Sequence, residues 1–124
     1  MARILLADED YECLGRMGAA LTGDGHEVIE VYTGKDAFDT VLEQQPDLVF
    51  LATKLAVFNG FEVCEMLRED PDVPKELPIV ILYTADPDTR KLEHIGATGA
   101  LAKNHMVVEL RDLVVKYLGD KAAP

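Results

Sequence analysis

The sequence predicts an α/β domain in which five parallel strands alternate with five helices. Short apolar runs recur along the 124 residues, and each is too short to form a helix of its own. Between these runs, apolar residues recur at spacings of three and four, which is typical of helices with one buried face. Strands that alternate with helices are joined by right-handed crossovers, so the sheet is parallel and carries helices on both faces.

Four of the predicted strands are largely apolar, as expected for strands that are buried on both faces of a sheet. The second strand alternates polar and apolar residues, so we expect it at an edge and the other four in the core. This gives the order 2-1-3-4-5, which is that of a flavodoxin-like doubly wound domain. The predicted strands are Arg3 to Ala7, Glu27 to Val31, Leu48 to Leu51, Ile79 to Tyr83 and Ala100 to Ala102.

Side chains that cap helices stand before three of the predicted helices. Thr33 and Asn59 are suited to cap the second and third helices. The fourth is expected to start with Asp86 as its cap and Pro87 in the first helical position, and to end at Gly96. We expect a single domain over residues 1–124, ordered over about residues 3–119.

The composition excludes several classes of partner. Twelve basic residues against 23 acidic ones give a net charge of −11, and no basic cluster is present, so nucleic acid is not an expected partner. No stretch approaches ~18 consecutive apolar residues, which argues against a membrane span. Cys13 and Cys64 have no metal-ligand spacing and are expected to be reduced thiols in or near the core. We therefore expect a cytoplasmic protein.

Polar and small residues follow four of the predicted strands. In an open α/β sheet, function lies in the crevice beyond the carboxyl ends of the strands. The residues at these ends are the candidates for a functional site. They are Asp8, Glu9, Ala52, Thr53, Tyr83, Thr84 and Lys103.

Four segments in order along the chain resemble the receiver domains of two-component response regulators, in particular chemotaxis-type regulators. The resemblance covers the chain from Arg3 to Leu118. It implies that a sensor kinase donates a phosphoryl group to an Asp at the end of the third strand, with Mg²⁺ held by an acidic pair. The segments are Ile4 to Asp10, Pro46 to Glu62, Leu77 to Ala85 and Gly96 to His105.

The sequence departs from this family pattern at the residue that carries the reaction. Ala52 stands at the position of the phosphoacceptor Asp, and a methyl group has no nucleophilic oxygen. Tyr83 falls on the position of the family hydroxyl, while Thr84 fits it one step late, so the choice between them stays open. Asn104 replaces the usual Pro after the matching Lys103. We interpret the chain as a pseudo-receiver.

The resemblance assigns the acidic pair to Asp8 and Glu9, without the third carboxylate that the family uses. We therefore expect at most weak Mg²⁺ binding and no other cofactor. The resting arrangement is expected to be an ion pair between Lys103 and one of these acids, although two solvated acids are the alternative. Lys54 is expected to be exposed. Thr53 and Thr84 are expected to hydrogen-bond to the backbone.

The leading hypothesis is a signalling domain that acts by binding a protein rather than as an enzyme. No glycine-rich phosphate loop and no nucleophile–base pair is present. The alternatives are a crevice that binds a small ligand, phosphorylation of a residue other than Asp, and a domain of a larger signalling protein. A homodimer is a further option. The expected interaction face, on the fourth helix, fifth strand and fifth helix, comprises His94, Ala100, Lys103, His105, Met106 and Val107.

Overall fold

Five strands form one parallel sheet, and five helices alternate with them along the chain. The structure is a computed structural model that describes residues 1–103 and 106–119. The elements are β1 (Arg3–Ala7), α1 (Tyr11–Gly23), β2 (Glu27–Val31), α2 (Gly34–Gln44), β3 (Leu48–Ala52), α3 (Gly60–Glu69), β4 (Ile79–Tyr83), α4 (Thr89–Ile95), β5 (Gly99–Ala102) and α5 (Met106–Leu118).

The strands lie in the order β2-β1-β3-β4-β5 and all neighbouring pairs are parallel, as predicted. The register aligns the carboxyl ends of the strands. Ala7 pairs with Val31 on one side and Leu51 on the other, and Ala52 pairs with Leu82. Because parallel strands end on the same side, the loops after β1, β3, β4 and β5 meet at one edge of the sheet.

The core is built on the middle of the sheet. Every residue of β3 is buried, and so is nearly all of β1 and β4. The expectation that the fifth strand lies in the core is wrong, because only Leu101 of β5 is buried. The strand order explains this difference: β5 is an outer strand with a neighbour on one side, as β2 is on the other.

The helix starts follow side-chain caps. The Thr33 hydroxyl accepts a hydrogen bond from the backbone of Asp36, and Asn59 and Glu62 form a reciprocal capping box at the start of α3. The predicted start of α4 is wrong by two residues. Its cap is Asp88, whose side chain accepts a hydrogen bond from the backbone of Arg90, and the extended backbone of Asp88 (φ −64°, ψ 127°) means that the helical turns begin only after it.

Both cysteines are buried, as expected, and neither forms a disulfide in the described part of the chain; burial raises the pKa of Cys64 to about 11. Among the helices in the described part of the chain, none has the length and hydrophobicity needed to cross a membrane. The expected disordered tail from residue 120 lies outside the described residues.

Candidate functional site

A small crevice of about 190 Å³ lies at the carboxyl edge of the sheet, where the sequence predicted a site. It gathers residues from the loops after β1, β3, β4 and β5. We call it the crevice. It is lined by Asp8, Glu9, Asp10, Ala52, Thr53, Lys54, Thr84 and Lys103.

Two glycines allow the loop between β3 and α3 to fold closely against the end of the sheet. A Cβ on Gly60 would overlap the carbonyl oxygen of Ala52, so only glycine lets α3 begin directly over β3. A Cβ on Gly34 would overlap the carbonyl oxygen of Phe58. This close approach places residues 53–59 beside the start of α2 and fixes one wall of the crevice.

The centre of the crevice is an ion pair between Asp8 and Lys103. Lys103 Nζ lies 2.7 Å from Asp8 Oδ2, and the two side chains are 18% and 2% exposed. The other carboxylate oxygen, Oδ1, accepts a hydrogen bond of 3.0 Å from the backbone of Asp10. The expected ion pair is thus confirmed, and it is formed with Asp8 rather than with the exposed Glu9.

This ion pair is a charge contact without hydrogen-bond alignment. Oδ2 of Asp8 is fully buried and receives no hydrogen bond of acceptable angle. Partial burial acts to lower the pKa of Lys103, but the contact with Asp8 and its charge raise that pKa above its ordinary value. Lys103 is therefore cationic at neutral pH, and it neutralises the buried carboxylate.

Cys13 is the thiol closest to this pair and is not a nucleophile. Burial, together with the hydrogen bond and charge of Asp8, raises the pKa of Cys13 to about 12. Its sulfur also lies 3.8 Å from that of Met17. Because only the thiolate attacks or binds metals, Cys13 is an inert residue of the core at neutral pH.

The residues present do not fit a divalent cation well. A methyl group occupies position 52, and Ala52 is only 2% exposed. Both oxygens of Asp8 already face donors of the chain, so Glu9 is the one carboxylate of the predicted pair that is open to solvent. Among the described residues, no three acidic, His or Cys side chains are placed to hold a metal. Weak Mg²⁺ binding by Asp8 and Glu9 stays a prediction.

The structure distinguishes the two hydroxyl candidates at the end of β4. Thr84 lines the crevice, whereas Tyr83 is not among the described residues that line it. Burial and the carboxylate of Asp86 raise the pKa of Tyr83. Thr84 is exposed and Thr53 is half-buried, and the expected hydrogen bonds of these two hydroxyls to the backbone stay a prediction.

The predicted interaction face is only partly described. His94 is exposed in the last turn of α4, and Ala100 is half-buried in β5. Lys103 points at Asp8 and so belongs to the crevice rather than to this face. His105 lies outside the described residues, as do the side chains of Met106 and Val107.

Arg68, which the sequence did not single out, anchors this face to α3. Its guanidinium donates to the carbonyl oxygen of Gly96 at 2.8 Å and to that of Lys75 at 3.1 Å. A third bond of 3.2 Å reaches the hydroxyl of Thr98. These bonds tie the end of α4 and the approach to β5 to the middle of the domain.

A second feature at the same end of the sheet was also missed. The rings of Tyr11 and Tyr32 pack at a centroid distance of 4.7 Å, although both side chains are exposed. Val57, also exposed, adopts the left-handed region with φ of 73°. The only sequence signal is that Tyr11 and Tyr32 follow the ends of two strands that pair with each other.

The chain was compared with known proteins. The response regulator receiver domain family matches residues 4–115. Protein PilH of Pseudomonas aeruginosa is 30% identical over 83% of this chain and 86% of its own length. The DNA-binding response regulator MtrA of Mycobacterium tuberculosis is 36% identical over 70% of this chain, but the match spans only 36% of MtrA.

A solved structure is similar to this chain in the same way. The crystal structure of a putative response regulator from Chloroflexus aurantiacus superimposes with a TM-score of 0.85 at 28% identity. The match covers 94% of this chain and 97% of that protein. The similarity therefore extends over nearly the whole length of both chains.

Proposed function

Because the chain belongs to the response regulator receiver domain family, we propose that it signals by protein binding and without phosphorylation of an aspartate at the end of β3. The observation that carries this proposal is Ala52. Its backbone is in register with the neighbouring strand at Leu82, so the position is built as in an intact sheet. At this position the reactive group is missing although the backbone is in place.

The chemistry at this position follows from the side chain. A methyl group has no lone pair with which to attack a phosphorus atom, and it cannot ligate a cation that would offset phosphoryl charge. The carboxylate nearest the centre, Asp8, is buried and paired with Lys103. We therefore propose that the domain has no phosphotransfer activity of its own.

The charge balance of the crevice supports a single resting state. Lys103 is the cation that would meet an incoming phosphoryl group, and it is already neutralised at 2.7 Å by Asp8. Withdrawing Lys103 would leave a buried carboxylate without compensation, which is strongly unfavourable. The ion pair thus holds the side chain of Lys103 in place, although the resemblance assigns this lysine to the switching mechanism.

The output of this module is proposed to be a protein contact on α4, β5 and α5. Arg68 supports the proposal because it fixes the end of α4 through Gly96 without any contribution from the crevice. Exposed His94 lies in the last turn of that helix. A partner would then meet a surface whose position does not depend on phosphorylation. A homodimer through this face is the competing arrangement, which sedimentation of the purified chain would reveal.

Labelling with a small phosphodonor tests the proposal. The protein is incubated with acetyl phosphate and Mg²⁺, and intact mass is measured beside the variant Ala52→Asp. We expect no phosphoryl adduct on the wild-type chain. A base-labile adduct of one phosphoryl group on the wild type would contradict the proposal. Labelling of Ala52→Asp alone would show that the rest of the site is sound, and an inert variant would mean that the changes at Tyr83 and Asn104 also prevent the reaction.

A small-ligand function is favoured by one observation, namely that the crevice has a volume of about 190 Å³ and two lysines, Lys54 and Lys103, in its wall. A thermal-shift screen with small anions and nucleotides tests it. A ligand that stabilises the wild type but not Thr84→Val would support binding in the crevice. Ligands that stabilise both equally would place binding elsewhere.

A further inference from the structure

An exposed aromatic pair stands at the edge of the crevice. Tyr11 begins α1 and Tyr32 directly follows β2, and the pairing of Ala7 with Val31 brings the ends of their strands together. Their ring planes are tilted by 57°, and the side chains are 70% and 43% exposed. The rings therefore support each other while leaving aromatic surface open to solvent.

Val57 extends this apolar surface. The backbone of Thr33 bridges to Ala56, and the N–H of Gly34 donates to the Ala56 carbonyl at 2.9 Å, so the loops after β2 and β3 are joined. Val57 follows this joint and is 68% exposed. We call Tyr11, Tyr32 and Val57 the rim.

The conformation of Val57 is strained and this chain gains no burial from it. A β-branched side chain rarely adopts a positive φ, and Val57 has φ of 73°. Strain of this kind persists at sites that hold a defined shape for recognition. Since the side chain does not pack into the core, its apolar surface remains available to a second molecule.

The charges beside the rim indicate what kind of molecule binds there. Glu9, Asp10 and Glu12 are exposed on either side of Tyr11. Of the two lysines that line the crevice, Lys103 is paired with Asp8, whereas Lys54 is exposed. The net charge of −11 disfavours nucleic acid and anionic lipid as partners. A cationic partner is attracted, and its guanidinium groups can also stack on tyrosine rings.

We propose that the rim is a docking surface for a basic segment of another protein, in which an apolar side chain stands between arginines. The apolar side chain packs on the tyrosines and Val57. The arginines pair with Glu9 and Glu12 and lie over the ring faces. This surface is separate from α4, β5 and α5, so the inference does not depend on the output face proposed above.

The test uses the full chain and a synthetic peptide of alternating arginine and leucine as the probe. Binding is followed by amide chemical shifts of the isotope-labelled protein. Two control peptides are used: one with glutamate in place of arginine, and one with glycine in place of leucine. We expect shifts clustered at residues 9–12, 32–34 and 56–58 with the probe. Equal affinity for the glycine peptide, or shifts clustered elsewhere, would overturn the proposal.

Variants separate the rim from general charge attraction. Tyr11→Ala combined with Tyr32→Ala should weaken binding of the probe by about tenfold. Val115→Ala is the matched control, because Val115 is 62% exposed but lies on α5, and it should leave the affinity unchanged. An affinity that falls equally in both variants, or in neither, would contradict the proposal.

Val57→Gly gives a test in which folding and binding change in opposite directions. Glycine tolerates a positive φ, so the midpoint of thermal unfolding should rise. The affinity for the probe should nevertheless fall by about threefold, because the apolar side chain is lost. A variant that is more stable and binds the probe as well as the wild type would exclude Val57 from the surface and overturn the rim as defined.

Discussion

The crevice and the rim lie at the same end of the sheet and are built from some of the same loops. Their central side chains nevertheless differ, because that of the crevice is buried and paired whereas those of the rim are exposed. In the crevice, Asp8 is 1% exposed and its charge is matched within the chain by Lys103. At the rim, Tyr11 is 70% exposed, and its ring packs on that of Tyr32. The buried charge of the crevice is balanced within the chain, whereas the apolar surface of the rim is open to a second molecule.

The difference follows from the cost of burying each type of group. A buried charge must be paired, because an unpaired one loses its hydration without compensation. An exposed apolar group costs little in the free chain and gains free energy only when a partner covers it. The crevice therefore contributes to stability, and the rim is suited to recognition. Four changes to the chain test this contrast, from the largest expected effect to the smallest.

Lys103→Met should cause the largest loss. It leaves Asp8 buried without a cation, and we expect a decrease of about 3 kcal/mol in the free energy of unfolding, measured by urea denaturation at pH 7.

Lys35→Met is the control for this prediction. It breaks an exposed ion pair with Asp39 that has a similar distance of 2.8 Å, and it should change stability little. Combining Lys103→Met with Asp8→Asn should recover part of the loss, since the buried charge is removed. Equal effects of Lys103→Met and Lys35→Met would show that the crevice pair does not contribute as proposed.

Asn59→Ala should cause an intermediate loss of stability and should affect both the crevice and the rim. Asn59 caps α3 and ends the loop that forms a wall of the crevice and carries Val57. We expect a loss of about 1 kcal/mol in thermal or urea unfolding. Asp88→Ala removes the cap of α4 and serves as the control. Amide shifts at Val57 should change with Asn59→Ala and not with Asp88→Ala. The reverse pattern would mean that the two regions do not share this support.

Val57→Gly should change the free energy of unfolding by a smaller amount, and it should raise that free energy rather than lower it. Relief of the positive φ is expected to stabilise the chain by about 1 kcal/mol or less. Substitution of glycine for the exposed Val108, which lies in α5, should destabilise instead. A loss of stability in Val57→Gly would show that Val57 is held by contacts and is not strained.

A change at His26 should have the smallest effect on stability. Like Asp8, His26 is a buried polar group, but its partner is neutral. Its Nδ1 accepts a hydrogen bond of 3.1 Å from the backbone of Ala2. Burial, followed by the charge of the N-terminus, lowers the pKa of His26, while Asp24 acts to raise it. The neutral ring is therefore favoured on folding. Its stabilisation is present above about pH 6.5 and declines as the pH falls below that value.

The measurement is the unfolding midpoint of the wild type and His26→Gln across pH 5 to about 8. Glutamine can accept the same hydrogen bond and does not titrate. We expect the two midpoints to converge or cross as the pH falls. Parallel curves for the two proteins would show that His26 is not the source of the pH dependence.

Much of the sheet could be predicted from the sequence because its signals are local. The apolar run at Leu48 is short, ends at Ala52 and is buried throughout, as predicted. The alternation from Glu27 to Val31 placed β2 at an edge. The pairing of Lys103 with an acid also followed, because a cation and carboxylates at neighbouring strand ends must compensate each other once buried.

The remaining features depend on tertiary structure or on choices between equivalent residues. Asp86 and Asp88 are both residues of a capping type, and the sequence alone does not show that the backbone is still extended at Asp88, where the structure places the cap. The packing of Tyr11 on Tyr32 requires the register of β1 and β2. The positive φ of Val57 runs against its own propensity, so no sequence pattern could indicate it.

The central claim is that the crevice is held in one state by the Asp8–Lys103 pair and lacks the reactive group at Ala52. The most direct test is to add beryllofluoride with Mg²⁺, which imitates a phosphoryl group on aspartate, and to record amide shifts of the wild type and Ala52→Asp. We predict no shifts in the wild type at Thr84, Ala100 or Lys103 beyond those that Mg²⁺ alone causes. Saturable shifts of the wild type at Thr84 and along α4 and β5 would contradict the claim.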